Sequence, residues 1–252
     1  MEISHRVGNR HLLSRSQSLQ TLTTLQTTGQ YLFCQWSAKW WRHIYGILFD
    51  HLAERDLISG VQWGFCPGRS TVTALVSTFH HIFQLLENGL DVSLVFFDIR
   101  KAFDSVPHLT LLQKLKDINL NQHILQWISS YLFNRQQRVV VDSANSTATP
   151  VLSGVPQGSV LGPLLFLLYI NHISMLQLTD GSTLTMYADD ILLSKPISCP
   201  EDYGGLQSDI NTIHDCISAS RLTLNPSKCK YLICSKKRHP YLPSAEAIVF
   251  LW

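Results

Sequence analysis

The chain has 252 residues, of which 45% are hydrophobic and only 15% are charged. A chain of this length and hydrophobicity can bury a sizeable core, so a largely disordered protein is excluded. The formal net charge of +2 favours no class of partner, and any basic surface must therefore be local.

The sequence shows no pattern typical of membrane insertion or secretion. The longest apolar run, Val160 to Ile170, is interrupted by Gly162-Pro163 and is too short to cross a bilayer. The six cysteines form no CxxC pair and lack metal-ligand spacing, which indicates reduced thiols. We therefore expect an intracellular protein, nuclear or cytoplasmic, that is neither secreted nor bound to a membrane.

The N-terminal part predicts two helices before a buried strand. Helical spacing of apolar residues predicts a helix over 43–56, and a glycine-rich loop follows at 60–68. Ser70 can cap a second helix. The residues predicted to turn this helix toward a core are Val72, Leu75, Val76, Phe79, Phe83 and Leu86. The apolar run from Val92 to Ile99 predicts a buried strand, which carries Asp98 near its end.

The remainder predicts an α+β fold, in which a small antiparallel sheet has helices on one face. Pro107 suits the first turn of a helix. Two further helices are predicted at 160–173 and 203–220. The predicted strands lie at 137–142 and 146–152, which form a hairpin, at 183–187 and 191–194, which form another, and at 222–224 and 231–234.

Three carboxylates, Asp98, Asp189 and Asp190, stand where an apolar strand meets a turn. Carboxylates in such places are costly unless cations accompany them. Hard oxygen ligands with open positions suit Mg²⁺, and two such ions can clamp the attacking and leaving oxygens of a phosphoryl displacement. On these residues alone, a structural role for the Tyr-Ala-Asp-Asp hairpin is an equal alternative.

Five segments resemble, in order and spacing, motifs of the reverse transcriptases of non-LTR (LINE-type) retrotransposons. They are Gln62–Thr71 in the fingers, Phe96–His108, Ser153–Phe166 and Tyr187–Asp190 as the three catalytic motifs, and Leu222–Cys229 in the palm. One such motif would be weak support, whereas five in order are specific. The resemblance covers about residues 42–240.

The resemblance implies the palm of a right-hand polymerase with partial fingers. Residues 42–90 would be the partial fingers, 91–235 the palm, and 236–252 a tail that does not match the family. Because the match ends there, we expect a truncated domain without a thumb.

The resemblance also assigns the centre of the reaction. Asp98, Asp189 and Asp190 would hold two Mg²⁺ ions, or Mn²⁺ instead, with the backbone carbonyl of Ile99 as a further ligand. Lys228 matches a lysine proposed to protonate the pyrophosphate leaving group. For a single lysine, a solvated surface position is the alternative.

Further residues match the nucleotide and primer sites. Phe103 matches the steric gate that excludes a ribonucleotide 2′-hydroxyl, with a core position as the alternative. Gln157 and Gly158 match the loop beneath the incoming nucleotide, where glycine permits close approach and glutamine both donates and accepts. Arg69 would contact the triphosphate or the template backbone, or else only neighbour a helix cap, and Tyr187 would pack beneath the primer end.

Two other matching residues, Asp104 and His108, have no evident chemical task. Asp104 is predicted to cap the helix at Pro107. We therefore interpret both residues as structural.

The implied function is RNA-directed DNA polymerisation, in which dNTPs are added to a primer 3′-OH by a two-metal mechanism. The partners would be an RNA template, a DNA primer and dNTPs, while the oligomeric state is left open. The alternative is a decayed and catalytically inactive fragment, which is inert or serves only as a nucleic-acid or protein-binding module.

The first 41 residues have an unusual composition. No Asp or Glu occurs between Ile3 and Phe49, and three of the six tryptophans lie within 36–41. A mitochondrial transit peptide is one interpretation, since such peptides are rich in Arg and Ser and poor in acids. We prefer an out-of-frame reading of the element's own fingers sequence, because shifted codons for Gln26–Trp41 can spell the family's Arg-Pro-Ile-Ser segment. Such a segment would have no selected core pattern.

Overall fold

The structure is a computed structural model that describes residues 45–237, with the exceptions of 47, 51, 56, 142 and 143. The interpretation of residues 1–41, and that of the tail beyond residue 237, lie outside the described residues. The described chain divides into two compact units, each with most of its contacts within itself. One unit contains Asn134–Val151, and the other contains the described residues of Leu32–Phe133 and Leu152–Trp252.

Helices and strands are numbered here along the described chain. The helices are α1 (Thr71–Glu87), α2 (Ala102–Ser105), α3 (His108–Asp117), α4 (Gln122–Leu132), α5 (Gly162–Ile170) and α6 (Asp202–Ala219). The strands are β1 (Asp91–Asp98), β2 (Gln136–Gln137), β3 (Val140–Val141), β4 (Ala144–Asn145), β5 (Thr149–Pro150), β6 (Thr183–Tyr187), β7 (Asp190–Ile197) and β8 (Lys230–Cys234). Described residues between 45 and 53 are also helical, and a 3-10 helix covers Asn171–Met175. None of the described helices is long and apolar enough to span a bilayer.

The larger unit is built on a four-stranded antiparallel sheet with the strand order β6-β7-β1-β8. Strand β1 is central, and its apolar run is almost entirely buried. This confirms the prediction of a buried strand, because a strand covered on both faces needs apolar residues at successive positions. The predicted strand over 222–224 is reduced to one bridge, between Ile99 and Leu224.

Helices α5 and α6 lie against the sheet face that carries Val95 and Phe97. Helix α5 is apolar all round, and seven of its nine residues are buried. A helix without a polar face is stable in water only where it is enclosed on all sides. The main core therefore lies on this side of the sheet. The predicted helix over 160–173 is confirmed, although its last turn tightens into the 3-10 helix.

Helix α1 lies on the opposite sheet face, where Ile82 and Leu86 pack against Val92 and Leu94, so helices lie on both faces of the sheet and not on one face as predicted. Ser70 forms the predicted N-cap, in a capping box with Thr73.

The predicted core face of α1 is wrong. Most of the residues assigned to it are 53–66% exposed, namely Val72, Leu75, Val76, Phe79 and Phe83. The buried residues of α1 are Ala74, Ile82 and Leu86. Apolar residues follow both sides of this helix, so that periodicity alone could not tell which side meets the sheet.

The described part of the smaller unit is a hairpin in the predicted place, formed by two short ladders, but its inner ladder includes Ala144–Asn145, which precede the predicted second strand. Gln136 pairs with Pro150 in the outer ladder, and Val140 pairs with Asn145 in the inner one. Backbone bonds extend the pairing, since Val151 donates to the carbonyl of Arg135.

The turn before α3 differs from the prediction. Pro107 is the N-cap of α3, and no side chain caps this helix, so the predicted capping role of Asp104 is wrong. Pro107 therefore lies just before the helix and not in its first turn, as the sequence had suggested. His108 is buried, and its Nε2 lies 2.8 Å from the carbonyl oxygen of Gly154, which confirms a structural role.

Candidate active site

The sheet brings two of the predicted carboxylates to directly paired positions. Asp98 ends β1 and is the register partner of Asp190, which begins β7. Asp190 also pairs with Tyr187 at the end of β6, so Ala188 and Asp189 alone form the turn between these strands. All three acids therefore lie at one end of the sheet, with Asp98 and Asp190 on adjacent central strands.

The electrostatic environment of Asp189 and Asp190 disfavours their ionisation. Burial raises the pKa of Asp189, and the neighbouring charges of Asp190 and Asp98 raise it further. Burial and the charge of Asp98 likewise raise the pKa of Asp190. The Lys228 ammonium opposes both shifts without cancelling them. The group therefore has excess negative charge, which a cation would relieve.

The loop after Leu224 holds Asp98 at three points. The Asn225 amide donates to the Asp98 carbonyl oxygen at 2.8 Å, and the Asp98 amide donates to Cys229 Sγ at 3.5 Å. Lys228 Nζ lies 3.4 Å from Asp98 Oδ1, with its side chain 66% exposed and that of Asp98 23% exposed. Asp98 is thus held by two bonds of its backbone and by one ion pair, whose Lys228 partner is largely exposed.

The donor set fits a divalent cation that keeps part of its own water shell. Asp98 and Asp190 are paired at the ends of β1 and β7, Asp189 lies in the adjacent turn, and the Ile99 peptide, which follows Asp98, bridges to Leu224. Within the described residues, no three His, Cys, Asp or Glu side chains form a ready-made metal cage. Mg²⁺ suits such a site, because it is commonly held by one or two carboxylates together with water and substrate phosphates.

The loop preceding α5 is tied to the α2–α3 corner by backbone bonds. The Gly154 amide donates to the Val106 carbonyl, and the Val155 amide to that of Phe103, both at 2.8 Å. Gly154 has a φ of +91°, and a Cβ there would lie 2.8 Å from Asp104 Cα, so only glycine fits. Gln157 and Gly158 follow in an exposed turn, where their backbone and side chains are accessible to a ligand.

Phe103 is half-buried between two other aromatic rings. It stacks on Phe166 with a centroid separation of 4.3 Å, and it meets Phe65 edge-on at 6.1 Å. The ring therefore bridges α2 to α5 and to the loop before α1. This packing is compatible both with a core role and with the gate role that the sequence predicts.

Arg69 is engaged within its own loop. Its Nη1 donates to the Gly60 carbonyl at 2.7 Å and also to the Gln62 carbonyl. Its guanidinium lies over the Trp63 ring, 5.4 Å from the centroid. Through these contacts Arg69 stabilises the loop before Ser70. The sequence did not predict this structural role.

A cavity of about 550 Å³ opens beside the carboxylates and continues between α1 and the sheet. Asp98, Asp190, Tyr187 and Lys228 line it at the charged end. The remainder of its lining is mainly apolar, with Phe79 from α1 as one example. Asp98 and Asp190 are therefore accessible from a large cleft.

The sequence did not predict a role for the Gln62 side chain in the site. This side chain is buried, and its Oε1 accepts the amide of Ala188 at 2.8 Å in the acidic turn. A polar residue inside an otherwise apolar and glycine-rich segment was the available signal. Its partner, 126 positions away, was not readable from the sequence.

The family model described as "Reverse transcriptase (RNA-dependent DNA polymerase)" matches residues 41–246. This chain belongs to the reverse transcriptase family. The match covers all the predicted site residues and extends across both described units.

The relatives of this reverse transcriptase domain come from mobile elements. The chain is 34% identical over 76% of its length to the "Probable RNA-directed DNA polymerase from transposon BS" of Drosophila melanogaster. It is 32% identical over 67% of its length to the "RNA-directed DNA polymerase from mobile element jockey" of Drosophila funebris. These matches confirm the resemblance to non-LTR retrotransposon enzymes. The chain spans only 22% and 19% of those two relatives.

Solved structures confirm the fold of the domain. Telomerase from Candida tropicalis superposes with a TM-score of 0.58 at 12% identity, over 77% of this chain and 33% of that one. At this identity the likeness shows the fold alone, which is the predicted α+β palm.

Proposed function

We propose that this reverse transcriptase domain adds dNTPs to a DNA primer 3′-OH, directed by an RNA template. The observation that carries the proposal is the pairing of Asp98 with Asp190, with Asp189 adjacent in the turn. Like charges directly opposite each other in a sheet are unfavourable. Divalent cations would offset this repulsion, and the chain belongs to a family of nucleotide-polymerising enzymes, in which such ions take part in phosphoryl transfer.

Asp98, Asp189 and Asp190 would hold two Mg²⁺ ions, with the Ile99 carbonyl as a further ligand. When bound, such ions polarise the attacking and leaving oxygens of phosphoryl transfer. The Lys228 side chain is 66% exposed and its Nζ lies 3.4 Å from Asp98 Oδ1, so it would be placed to donate a proton to a leaving pyrophosphate. Gln157 and Gly158 would support the incoming nucleotide, and Tyr187 the primer end.

Primer extension on the purified chain tests the proposal. The substrate is a DNA primer annealed to an RNA template, with the four dNTPs and Mg²⁺. We expect extension that EDTA abolishes and that Asp190→Asn reduces at least about 1000-fold, because loss of a metal ligand removes a large electrostatic stabilisation. Asp180→Asn, an exposed acid on the turn before β6, is the matched control.

The outcomes separate this proposal from the alternative of a decayed fragment. Template-dependent extension by the wild-type chain, lost in Asp190→Asn and kept in Asp180→Asn, supports the polymerase. Binding of the primer–template without any extension in Mg²⁺ or Mn²⁺ refutes catalysis and leaves a nucleic-acid-binding module.

A further inference from the structure

We infer that Gln62 is a positioning residue for the acidic turn, and this inference rests on the proposed function. Its side chain is only 3% exposed. The Oε1 atom accepts two backbone amides, those of Gly64 and Ala188, each at 2.8 Å. Its Nε2 atom donates a longer bond of 3.4 Å to the Ala188 carbonyl. One amide side chain thus satisfies both backbone groups of Ala188.

The backbone around Gln62 is aligned with the turn as well. Trp63 donates to the Met186 carbonyl at 2.7 Å, and Met186 donates to the Val61 carbonyl at 2.9 Å. These bonds form a parallel bridge beside β6, the edge strand of the sheet. The Gln62 segment therefore continues the sheet past the edge strand and reaches the turn with its side chain.

Close approach is built into both partners. A Cβ at Gly64 would collide with the backbone nitrogen of Ala188, so glycine is required at residue 64. Ala188 itself has a φ of +54°, which is unfavourable for a residue with a side chain. Such a conformation persists where its surroundings fix it. At Ala188, the hydrogen bonds from Gln62 stabilise this conformation.

The consequence concerns the metal ligands. Asp189 and Asp190 follow Ala188 directly, and two adjacent carboxylates repel each other when both are ionised. Without a support, these acids would relax apart and lose the arrangement that a cation needs. Arg69 strengthens the support, because it binds the backbone carbonyl of Gln62. The fingers segment thereby sets the geometry of the palm carboxylates without touching the metal.

Hydrogen exchange is the first test, because it requires neither metal nor activity. In Gln62→Met, which keeps the length but loses both hydrogen-bonding atoms, we expect peptides covering 186–190 to exchange about 10-fold faster. Gln126→Met, on the exposed side of α4, is the matched control. Unchanged exchange at the turn would overturn the inference.

Mg²⁺ binding by calorimetry is the second test, and it distinguishes positioning from a structural role alone. We expect Gln62→Met to weaken Mg²⁺ binding about 10-fold to 100-fold, as is usual when a residue that supports a metal ligand is lost. Gln62→Glu retains an oxygen for the two amides and should bind Mg²⁺ within about 3-fold of wild type. Extension assays on the same proteins should show a lower kcat with the KM for dNTP unchanged.

Each result decides between the two ideas. If wild type binds Mg²⁺ and Gln62→Met binds it equally well, the positioning role is wrong although the proposed function stands. If Gln62→Met does not fold, Gln62→Glu decides, and weak Mg²⁺ binding by a folded Gln62→Glu overturns the inference. If wild type itself binds no Mg²⁺, the proposed function fails, and the exchange result alone decides whether Gln62 holds the turn.

Discussion

Asp98 and Asp190 face each other as register partners across the two central strands. Residues so placed have Cα atoms about 4.5–5.5 Å apart, and like charges there are destabilising. The pKa of Asp190 is accordingly raised by burial and by the charge of Asp98. A fold that retains such a pair gives up stability locally, which is typical of functional sites.

Asp190→Asn should therefore stabilise the metal-free protein at neutral pH. A carboxyl whose pKa is raised on folding contributes stability below its unfolded pKa and loses it as the pH rises through the folded value. The variant, which cannot ionise, avoids this loss. We expect its Tm to exceed that of wild type by about 1–3 °C at pH 7 and to equal it below the ordinary carboxyl range.

Adding Mg²⁺ should make the Tm of wild type higher than that of Asp190→Asn. A ligand that binds only the folded state raises the Tm, so wild type should gain and Asp190→Asn should not. Asp180→Asn, which changes an exposed acid on the turn before β6, should follow wild type throughout. An Asp190→Asn protein that is less stable than wild type at pH 7 without metal would contradict the electrostatic argument.

Lys228→Met should shift Mg²⁺ binding to higher pH. The Lys228 charge lowers the pKa of both Asp189 and Asp190. Without it these groups hold their protons to higher pH, and a protonated carboxyl binds metal poorly. Calorimetric titrations between pH 5 and 8 should show the midpoint displaced upward. Lys228→Arg keeps the charge and should show no displacement; an equal shift in both variants would disprove the charge effect.

The strands and the acids were predictable because their signals are local. A continuous apolar run marks β1, and period-2 alternation marks β6, which the prediction places at its observed bounds, Thr183–Tyr187. The side of α1 that meets the sheet was not predictable, since apolar residues occupy both sides of that helix. The contact of Gln62 with Ala188 joins distant segments, and no local pattern encodes it.

Phe103→Ala separates two roles of one ring. Loss of the stack on Phe166 should cost about 1–3 kcal/mol of unfolding free energy, less than a fully buried ring because Phe103 is half-buried. If Phe103 is also the steric gate, the preference for dNTPs over rNTPs in single-nucleotide incorporation should fall. Phe65→Ala, which removes only the edge contact, should leave sugar selection unchanged. A destabilised Phe103→Ala with unaltered selection would identify a packing role alone.

The exposed side of α1 should cause the isolated chain to associate. Phe79 and Phe83 are 53% and 55% exposed, with ring centroids 6.4 Å apart. Contiguous apolar patches of this kind promote association, whereas single exposed apolar residues do not. Sedimentation velocity should show larger species for wild type and mainly monomer for Phe79→Lys/Phe83→Lys. Leu109→Lys changes a single residue that is 75% exposed and is the control. A monodisperse wild-type monomer with a sharp cooperative melt would refute the prediction.

The coding DNA tests the out-of-frame interpretation of residues 1–41. Permitted codons for Gln26–Trp41, read from the third base of the first, spell Asn-Tyr-Arg-Pro-Ile-Ser-Leu-Leu-Ser-Val-Val-Ser-Lys-Val-Val.

The two final bases of each shifted codon are fixed by the observed residue, apart from Leu, Ser and Arg. A run of motif residues is therefore unexpected by chance, even though third bases are free. The first two bases of each TGG become the last two of a shifted codon, which is the valine codon GTG where the preceding codon ends in G, and this accounts for the tryptophans at 36–41. The family match begins at residue 41, next to the junction that this interpretation requires. We expect sequencing to show an Arg-Pro-Ile-Ser-like segment in the other frame just upstream of codon 42. If that frame spells no such segment, the interpretation is wrong, and the transit peptide becomes the better explanation of an Arg-rich and acid-poor segment.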